Sequence, residues 1–599
     1  MKKRLITLIS LLGAVTLSAQ EAPGSTPLIQ NVYARQTQSL NGYWNYLMDQ
    51  QEIGYYNYRN LPSPDGFFRD IRVDNVTTWK EYDFDSAPVM RVPGDWNTQK
   101  PELYNYEGTL WYKKKFPYRK SAGKVFLYFG AANYDTKVWV NGEKAGEHVG
   151  GFTPFNFEVT GLLREGENSV IVKVDNKRSL DAVPTVNFDW FNYGGLTRDV
   201  MLVEVPDRFI RTYRIQLEKG SDRTIAAEVR LSERKAGEKI TVEIPELNVR
   251  RTASTGADGV AAFRIEASPA LWSPETPKLY DVVIASETDR VADRIAFRTI
   301  STRGHQVLLN GKPVFLKGVC IHDEAPYGGG RIYSKDEAHI LLKWAREMNC
   351  NFVRLAHYPH SEQMIREAER MGIMVWSEVP VYWTINWESP ATFANAKNQL
   401  SEMIERDRNR GNIIIWSVAN ETPHSEARDK FLSGLIAYTR AQDDTRLVSL
   451  AMERHDISEN EMTVQDNLHE LVDVVSFNQY VGWYVGRNDK IDRVSWKIPY
   501  GKPIIVSEYG GECIAGYRSP DKKIWSEEYQ AELYAKSAKM FDERLPGLAG
   551  TTPWLLKDYR SPRRVMPNMQ DGYNRKGLVS EHGQKKQAFY VMQQWYKTK

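Results

Sequence analysis

The C-terminal half of the chain alternates short apolar stretches with amphipathic segments, and this alternation limits the possible folds more than any other feature. Eight strand candidates follow one another, at residues 314–318, 352–354, 374–377, 413–418, 447–449, 474–478, 504–508 and 550–555. Between the first two, Ser334-Lys-Asp-Glu337 is a capping box that begins an apolar helical periodicity. Eight strand–helix units favour a (β/α)₈ TIM barrel. An open doubly wound sheet is the alternative, although no glycine-rich phosphate loop begins any of its helices.

The residues before this half carry the period-two alternation of β strands, interrupted by Gly, Pro and Asn turns. Between about 38 and 205, a strand at 137–140 runs into Asn141-Gly142, a strong hairpin signal, and 146–149 is the expected returning strand. From 207 to 298 the same pattern fits a small sandwich. A chain of 599 residues is also too long for one domain, so the sequence predicts two β modules followed by a barrel.

Composition argues against a nucleic-acid-binding protein and against a fold held together by zinc or disulfides. The 79 basic and 76 acidic residues nearly balance, and no long run of one sign occurs, so nucleic acid is not an expected partner. The three cysteines have no metal-ligand spacing and are odd in number, which predicts neither a zinc site nor a disulfide framework. Buried free thiols are therefore expected, and no metal or cofactor is predicted.

The N-terminus has the three-part layout of a secretory signal peptide. Met1-Lys2-Lys3-Arg4 precedes an apolar run at 5–17, and Ser18-Ala19 suits cleavage after residue 19. The run is too short to span a membrane, and no cysteine follows to accept a lipid. We therefore expect residues 1–19 to be a signal peptide and the protein to be periplasmic or extracellular, without a membrane partner. A homo-oligomer is left open.

Two glutamates follow apolar strands of the predicted barrel, where active sites of this fold lie. Glu421 comes after the strand at 413–418, and Glu508 closes the strand at 504–508. Retaining hydrolysis of a β-glycoside requires a carboxylic acid and a carboxylate nucleophile about 5–5.5 Å apart. Either glutamate alone is better interpreted as a rim carboxylate in a salt bridge, but the two together favour catalysis. Their order in the chain does not assign the two roles.

Two motifs resemble signatures of glycoside hydrolase family 2. Trp416-Ser-Val-Ala-Asn-Glu421 is similar to the acid/base signature, and Ser507-Glu-Tyr-Gly510 is similar to the nucleophile signature. The resemblance implies that Glu421 is the acid/base and Glu508 the nucleophile. It further implies that Asn420 binds the sugar 2-hydroxyl and that Tyr480 donates a hydrogen bond to the nucleophile.

The resemblance extends over nearly the whole mature chain. Residues 93–97, 108–112 and 138–142 are similar to recurring segments of the family's first module. The implied order is a jelly-roll sugar-binding domain, an immunoglobulin-like sandwich and the catalytic barrel. The corresponding boundaries are 20–206, 207–300 and 301–599.

Further positions match the ends of the first two barrel strands. In Gly318-Val-Cys-Ile-His322 and Arg354-Leu-Ala-His-Tyr-Pro359, the resemblance implies that His322 touches the sugar and that Arg354 supports the nucleophile. A structural histidine and an internal salt bridge are equally good interpretations of these two residues.

Family membership leaves several sugars open, so the sugar must be argued from the site. Asn574-Arg-Lys576 is similar to the Asn-x-Lys motif with which β-glucuronidases bind the substrate carboxylate, a group that needs a cation and amide donors. By the same resemblance, Tyr484 lies near this carboxylate, Asp189 contacts a sugar hydroxyl from a jelly-roll loop, and Trp554 contacts the substrate. Solvated loop residues are the alternative interpretation of Asp189, Asn574 and Lys576.

Two departures from the resemblance affect the choice of sugar. Glu512 and Cys513 differ from the commoner residues of the nucleophile loop, and 557–564 carries four cations. These cations serve either an anionic substrate or a solvated loop. The sequence thus predicts hydrolysis of β-D-glucuronides from small or oligosaccharide substrates. A β-galactosidase, a β-galacturonidase and a non-catalytic carbohydrate-binding protein are the alternatives.

Overall fold

The computed structural model describes residues 27–71 and 82–599, so the predicted signal peptide lies outside the described residues. The first module is a jelly-roll sandwich of a four-stranded sheet and a six-stranded sheet. Its ten described strands are β1 (Gln36–Ser39), β2 (Gly42–Met48), β3 (Val89–Val92), β4 (Thr109–Tyr118), β5 (Lys124–Phe129), β6 (Asp135–Val140), β7 (Glu143–Val149), β8 (Phe155–Glu158), β9 (Gly166–Asp175) and β10 (Val200–Val205). The sheet orders are β1-β10-β5-β8 and β3-β2-β4-β9-β6-β7. The predicted hairpin at Asn141-Gly142 joins β6 to β7, and its returning strand begins earlier than expected, at Glu143.

The second module is an antiparallel sandwich with its own apolar core. Its strands are β11 (Ile210–Leu217), β12 (Thr224–Leu231), β13 (Lys239–Ile244), β14 (Val249–Ser254), β15 (Val260–Glu266), β16 (Tyr280–Ala285) and β17 (Arg290–Ile295). They form sheets in the orders β11-β12-β15 and β14-β13-β16-β17. A short antiparallel sheet then leads into the third module, with strands β18 (Ile300–Arg303), β19 (Gln306–Leu309) and β20 (Lys312–Val314).

The third module is the predicted parallel barrel. Its strand segments are β21 (Leu316–Lys317), β22 (Cys320–Ile321), β23 (Phe352–Leu355), β24 (Met374–Glu378), β25 (Ile413–Asn420), β26 (Leu447–Asp456), β28 (Val475–Asn478), β30 (Ile504–Glu508) and β31 (Leu548–Thr551), with β27 (Glu461–Val464) and β29 (Ser495–Trp496) outside the barrel. β21 and β22 are two halves of one strand. Because β21 pairs with β31 and β22 pairs with β23, the sheet closes on itself. Strand one was predicted at 314–318, but Val314 pairs within the short sheet, so the barrel strand begins two residues later.

The helices are α1 (Lys335–Glu347), α2 (Glu362–Arg370), α3 (Pro390–Asp407), α4 (Glu426–Gln442), α5 (Asn488–Ile491), α6 (Glu527–Arg544) and α7 (Gln587–Lys597). Five of them, α1 to α4 and α6, begin after a serine whose hydroxyl accepts a hydrogen bond from the backbone three residues on. The expectation of eight regular strand–helix units was wrong at two places. After β26 the chain forms β27, where buried Met462 and Val464 alternate as in a strand, and after β28 it forms only the one-turn α5. No helix in the described ranges is both long and apolar enough to cross a bilayer.

The first module also contributes to the open end of the barrel. Phe191 donates its backbone N–H to the carbonyl of Arg560, with an N···O distance of 3.0 Å. Tyr193 donates its hydroxyl to Glu324 at 3.0 Å, and buried Arg198 forms an ion pair with Asp323 at 3.2 Å. The jelly-roll loop that carries residue 189 is therefore held against the barrel by several independent contacts. The free, buried thiols expected of the cysteines are confirmed at all three positions.

Candidate active site

Both predicted catalytic glutamates lie at the carboxyl end of the barrel. Glu421 directly follows β25, and Glu508 is the last residue of β30, with β26 and β28 between these two strands in the sheet. Glu508 is only 3% exposed, whereas Glu421 is half-buried. Glu421 has a φ angle of 47°, in the left-handed region. This conformation costs a non-glycine residue about 1–3 kcal/mol and recurs at functional sites.

Glu508 accepts hydrogen bonds on both of its oxygens. The guanidinium of Arg354 lies 2.8 Å from Oε1, and the hydroxyl of Tyr480 lies 2.6 Å from Oε2. The ring Nε2 of His357 is 3.6 Å from Oε1. A charged donor and a short O–H donor both favour the ionised form of a carboxyl group. This environment suits a nucleophile.

Arg354 is itself held by a third carboxylate, which the sequence analysis missed. Glu378 accepts from the Arg354 Nε at 3.0 Å and from Nη2 at 3.1 Å, and its Oε1 lies 2.7 Å from Nδ1 of His357. Burial raises the pKa of Glu378, but the charge of Arg354 and the hydrogen bond from His357 lower it to about 2. Glu378 is therefore ionised and fixes Arg354 beside the nucleophile. It is the last residue of β24, so the same end-of-strand argument that found Glu508 also applies to it.

Glu421 has weaker donors. The indole N–H of Trp383 lies 2.9 Å from Oε2. Burial raises the pKa of Glu421, and the hydrogen bonds from Trp383 and Asn478 only partly oppose this. Burial also raises the pKa of Glu508, where Arg354 opposes the rise and the charge of Glu421 adds to it. The charged guanidinium and the short O–H donor directed at Glu508 favour its ionised form, whereas the indole N–H that Glu421 accepts is uncharged. These donors therefore favour the charge on Glu508 and a proton on Glu421.

Asn420 precedes Glu421 in the chain and shares the donor Arg354 with Glu508. Its Oδ1 accepts from Arg354 at 2.6 Å and from the Nδ2 of Asn478 at 3.2 Å. Its own Nδ2 is buried and has no partner among the described residues. An unpaired buried amide donor is costly, so this group suits a hydroxyl of a bound substrate.

Aromatic rings line the same cavity. Trp554 stacks on His357 with ring centroids 4.8 Å apart, and His322 lies edge-on to Trp554 at 5.2 Å. Nδ1 of His322 contacts the hydroxyl of Tyr358 at 3.0 Å, but its Nε2 is buried without a partner in the described part of the chain. Burial holds the pKa of His322 well below its usual value, so the ring is neutral. His322 thus offers the cavity an uncharged polar atom.

The predicted Asn-x-Lys motif lies on the same rim, in and after β33 (Tyr573–Asn574), which pairs with β32 (Tyr559–Arg560). Asn574 donates to the hydroxyl of Tyr559 at 3.1 Å. The ammonium of Lys576 donates to the hydroxyl of Tyr484 at 2.8 Å and forms an ion pair with Glu512 at 3.0 Å. The side chains of Lys576 and Glu512 are both about 1% exposed. The cation therefore already has a buried counter-ion, contributed by one of the departures noted in the sequence.

A second cation completes this region. Arg564 binds the carboxylate of Asp189, donates to the Tyr484 hydroxyl at 3.2 Å, and lies 3.8 Å from Glu512. Asp189 also accepts a hydrogen bond from Ser561 at 2.6 Å. The charged cluster, defined as Lys576, Arg564, Glu512 and Asp189, is thus balanced, with two positive and two negative groups.

The solvated-loop interpretation of residues 557–564 was wrong for three of the four cations. Lys557 is buried 3.8 Å from Glu324, and Arg560 lies over the rings of Tyr104 and Phe191 at 4.0 and 3.7 Å. Arg564 belongs to the charged cluster. Only Arg563 is exposed. Apolar rings and carboxylates from the jelly-roll domain and the barrel cover the others, and the local sequence contains no sign of this packing.

One sequence neighbour of a catalytic glutamate lies outside the site, and some site residues lie where no sequence pattern indicated them. Tyr509, adjacent to Glu508, packs against Tyr534 and Phe541 behind the barrel wall, with ring centroids 5.5 and 4.9 Å away. In contrast, Trp383 and Arg564 come from loops whose sequences have no strand-end pattern.

Family models match the chain in three consecutive blocks. They are the sugar binding domain of glycosyl hydrolases family 2 at residues 37–206, the central family 2 domain at 208–298, and the family 2 TIM barrel domain at 300–598. The chain belongs to glycoside hydrolase family 2. As a family 2 enzyme it is a glycoside hydrolase, and the paired glutamates occupy the mouth of its catalytic barrel.

Relatives of this family 2 enzyme include the β-glucuronidase of Paenibacillus borealis, which is 27% identical over 93% of this chain and 96% of its own. Among solved structures, the β-glucuronidase of Faecalibacterium prausnitzii matches with a TM-score of 0.79 and 26% identity, over 94% of this chain and 98% of that one. A β-galacturonidase from Eisenbergiella tayi matches with a TM-score of 0.78 and 24% identity, over 96% and 98% of the two chains. The last similarity concerns the fold.

Proposed function

We propose that this enzyme hydrolyses terminal β-D-glucuronides with retention of configuration. The observation that carries the proposal is the buried ammonium of Lys576, which lies with Tyr484 and Arg564 on the barrel rim that also presents Glu421 and Glu508. Relatives named β-glucuronidase, matched over most of the chain, support the same assignment.

The reaction takes two displacements. Glu508 attacks the anomeric carbon while Glu421 gives its proton to the departing glycosidic oxygen, which leaves a glycosyl ester on Glu508. Glu421, now ionised, takes a proton from water, whose oxygen attacks the same carbon and releases Glu508. Asn420 donates its free amide hydrogen to the 2-hydroxyl of the sugar. Arg354 and Tyr480 hold the Glu508 carboxylate for the first attack and stabilise it as it leaves in the second step.

The charged cluster accounts for the preference for a uronic acid. Glu512 balances Lys576 and Asp189 balances Arg564, so a substrate carboxylate would bind by accepting hydrogen bonds from both cations, which share it with their present partners. A neutral sugar would bring only a hydroxymethyl group to these two cations, and its hydroxyl carries no charge to attract them. The carboxylate is common to glucuronides and galacturonides, which differ only at the C4 hydroxyl. Asp189, fixed by Arg564 and Ser561, is the group that we assign to the hydroxyls on that side of the ring.

A panel of three aryl substrates with the same leaving group tests this function. We expect kcat/KM to be highest on the β-glucuronide, lower on the β-galacturonide, and lower by about 100-fold or more on the β-galactoside, as is usual when buried polar groups lose their partner. The Glu508→Ala variant, assayed in parallel, controls for contaminating activity. A β-galactoside turned over as well as the glucuronide would rule out the proposed specificity.

Replacing Tyr480 by phenylalanine tests the donors around the nucleophile. The hydroxyl lies 2.6 Å from Glu508 and lowers its pKa, so its removal raises that pKa. Glu508 must be ionised to attack. As the pH is lowered, the variant should therefore lose activity at a higher pH than the wild type does. We expect the acidic limb of the kcat/KM profile to shift upward by about one pH unit or more. An unchanged acidic limb would show that Tyr480 does not affect the nucleophile.

We also propose that the enzyme is exported to the periplasm or the medium. The basic start, the apolar run at 5–17 and Ala19 support this location. The N-terminal residue of the protein recovered outside the cytoplasm should be Gln20, and an exported chain that retained Met1 would contradict the proposal.

A further inference from the structure

Trp383 and Arg563 lie together on the acid/base side of the cavity. The Trp383 indole N–H is bonded to Glu421, the group that protonates the leaving oxygen, so this ring lies beside the leaving group rather than the bound sugar. The guanidinium carbon of Arg563 lies 4.9 Å from the centre of the Trp383 ring. Trp383 has a φ angle of 55°, and its backbone N–H donates to Asn420 at 3.0 Å, so the ring is fixed by the catalytic strand itself.

Arg563 is also fixed, although it is exposed. Its guanidinium donates to Asn187 of the jelly-roll loop, and its backbone N–H donates to the hydroxyl of Ser561 at 3.2 Å. Ser561 is in turn bonded to Asp189. A cation held at both ends loses little conformational entropy when it binds a ligand.

Arg563 differs from its neighbours in lacking an acidic partner. Within residues 27–71 and 82–599, no carboxylate forms an ion pair with it, whereas Lys557 pairs with Glu324 and Arg564 with Asp189. The two adjacent arginines also diverge, because Arg564 contacts Tyr484 and Arg563 contacts Trp383. An uncompensated guanidinium at the mouth of a cavity attracts anions, and its planar N–H groups match a carboxylate or a sulfate.

We propose that Trp383 and Arg563 form a leaving-group subsite that binds a sugar carrying a carboxylate or a sulfate ester. The natural substrates are then anionic oligosaccharides that end in a β-glucuronosyl unit. This inference rests on the proposed function, because it concerns the group released by the same reaction. It adds a second, separate preference for negative charge, on the far side of the scissile bond from the charged cluster.

Two matched pairs of disaccharides test the subsite. The sulfate pair is β-glucuronosyl-N-acetylgalactosamine with and without a 6-sulfate, and the carboxylate pair is β-glucuronosyl-glucuronic acid and β-glucuronosyl-glucose. Release of free sugar gives kcat/KM for the wild type, for Arg563→Gln and for Arg250→Gln. Arg250 is an exposed arginine of the second module, paired with Glu243, and serves as the control.

We expect the wild type to prefer the charged member of at least one pair by about three- to tenfold, the scale of one partly exposed charge-assisted contact. The pair that shows the preference identifies the anion. Raising the salt concentration should reduce the preference, Arg563→Gln should abolish it, and Arg250→Gln should retain it. The proposal is overturned if the wild type shows no preference or if Arg563→Gln keeps it. Failure of the wild type to hydrolyse any glucuronide, including a neutral aryl glucuronide, would overturn the proposed function and this inference together.

Discussion

Replacing Glu508 by alanine is expected to reduce glucuronide hydrolysis by about 10⁴-fold or more, the scale seen when a covalent nucleophile is removed. Glu508 receives the guanidinium of Arg354 at 2.8 Å and the hydroxyl of Tyr480 at 2.6 Å, donors that favour the ionised carboxylate a nucleophile needs. The variant should fold, because alanine removes a charge whose partner Arg354 keeps its ion pair with Glu378. The measurement is kcat on an aryl β-glucuronide, with thermal unfolding as the control for structure.

Added azide distinguishes the nucleophile from the acid/base. In Glu508→Ala, azide would occupy the space left by the carboxylate and attack from that face, giving the α-glucuronosyl azide. In Glu421→Ala, the glycosyl ester still forms from a substrate with a good leaving group, and azide then attacks from the opposite face to give the β-azide. A β-azide from the Glu508 variant would reverse the two assignments.

Replacing Lys576 by methionine is expected to lower kcat/KM on the glucuronide by about 10²- to 10³-fold, as truncation of one partner of a buried charge pair does. The variant removes the ammonium that we propose binds the substrate carboxylate. It also takes from Glu512 its nearest cation, 3.0 Å away in the wild type, and leaves only Arg564 at 3.8 Å to balance it. Activity on the matched β-galactoside should change far less, because that substrate has no carboxylate.

The double variant Lys576→Met with Glu512→Gln separates these two causes. Removing the negative charge of Glu512 should restore part of the lost glucuronide activity, since Arg564 remains 3.8 Å from that position to receive the substrate carboxylate. Single Asn574→Ala should reduce glucuronide activity through the lost amide and leave the charges unchanged. Undiminished glucuronide turnover in Lys576→Met would contradict the assignment of the charged cluster to the uronate.

The charged cluster is balanced before any substrate binds. In the free enzyme each cation has a carboxylate partner, so neither Lys576 nor Arg564 is an isolated buried charge. An isolated buried charge would be strongly destabilising, and removing one partner of such a pair typically costs about 3–5 kcal/mol. Glu512 and Asp189 therefore allow two cations to be buried at the rim before the substrate arrives.

The architecture of the chain followed from sequence patterns alone. Period-two alternation located the two β modules, and eight apolar strands located the barrel. Both patterns can be recognised in the sequence because the spacing of apolar residues within one strand is a local property. The capping box at Ser334 marked the start of α1 for the same reason. Glu421 and Glu508 were predictable from their positions at strand ends, because the carboxyl ends of parallel strands share one face of a barrel. The irregular units after β26 and β28 were the exception, since their segments lack the helical periodicity on which the argument depends.

The electrostatic character of the site was decided only by the tertiary structure. The sequence contained Glu378, Trp383, Glu512 and Arg564, but their partners are separated from them by between 24 and 375 positions along the chain. Ion pairs and hydrogen bonds depend on distances of about 3 Å between side chains, which no local pattern specifies. For this reason the sequence pointed to a glycosidase with two glutamates and, through the family resemblance, to their roles, whereas only the folded chain showed which donors surround each glutamate and how two buried cations are balanced beside them.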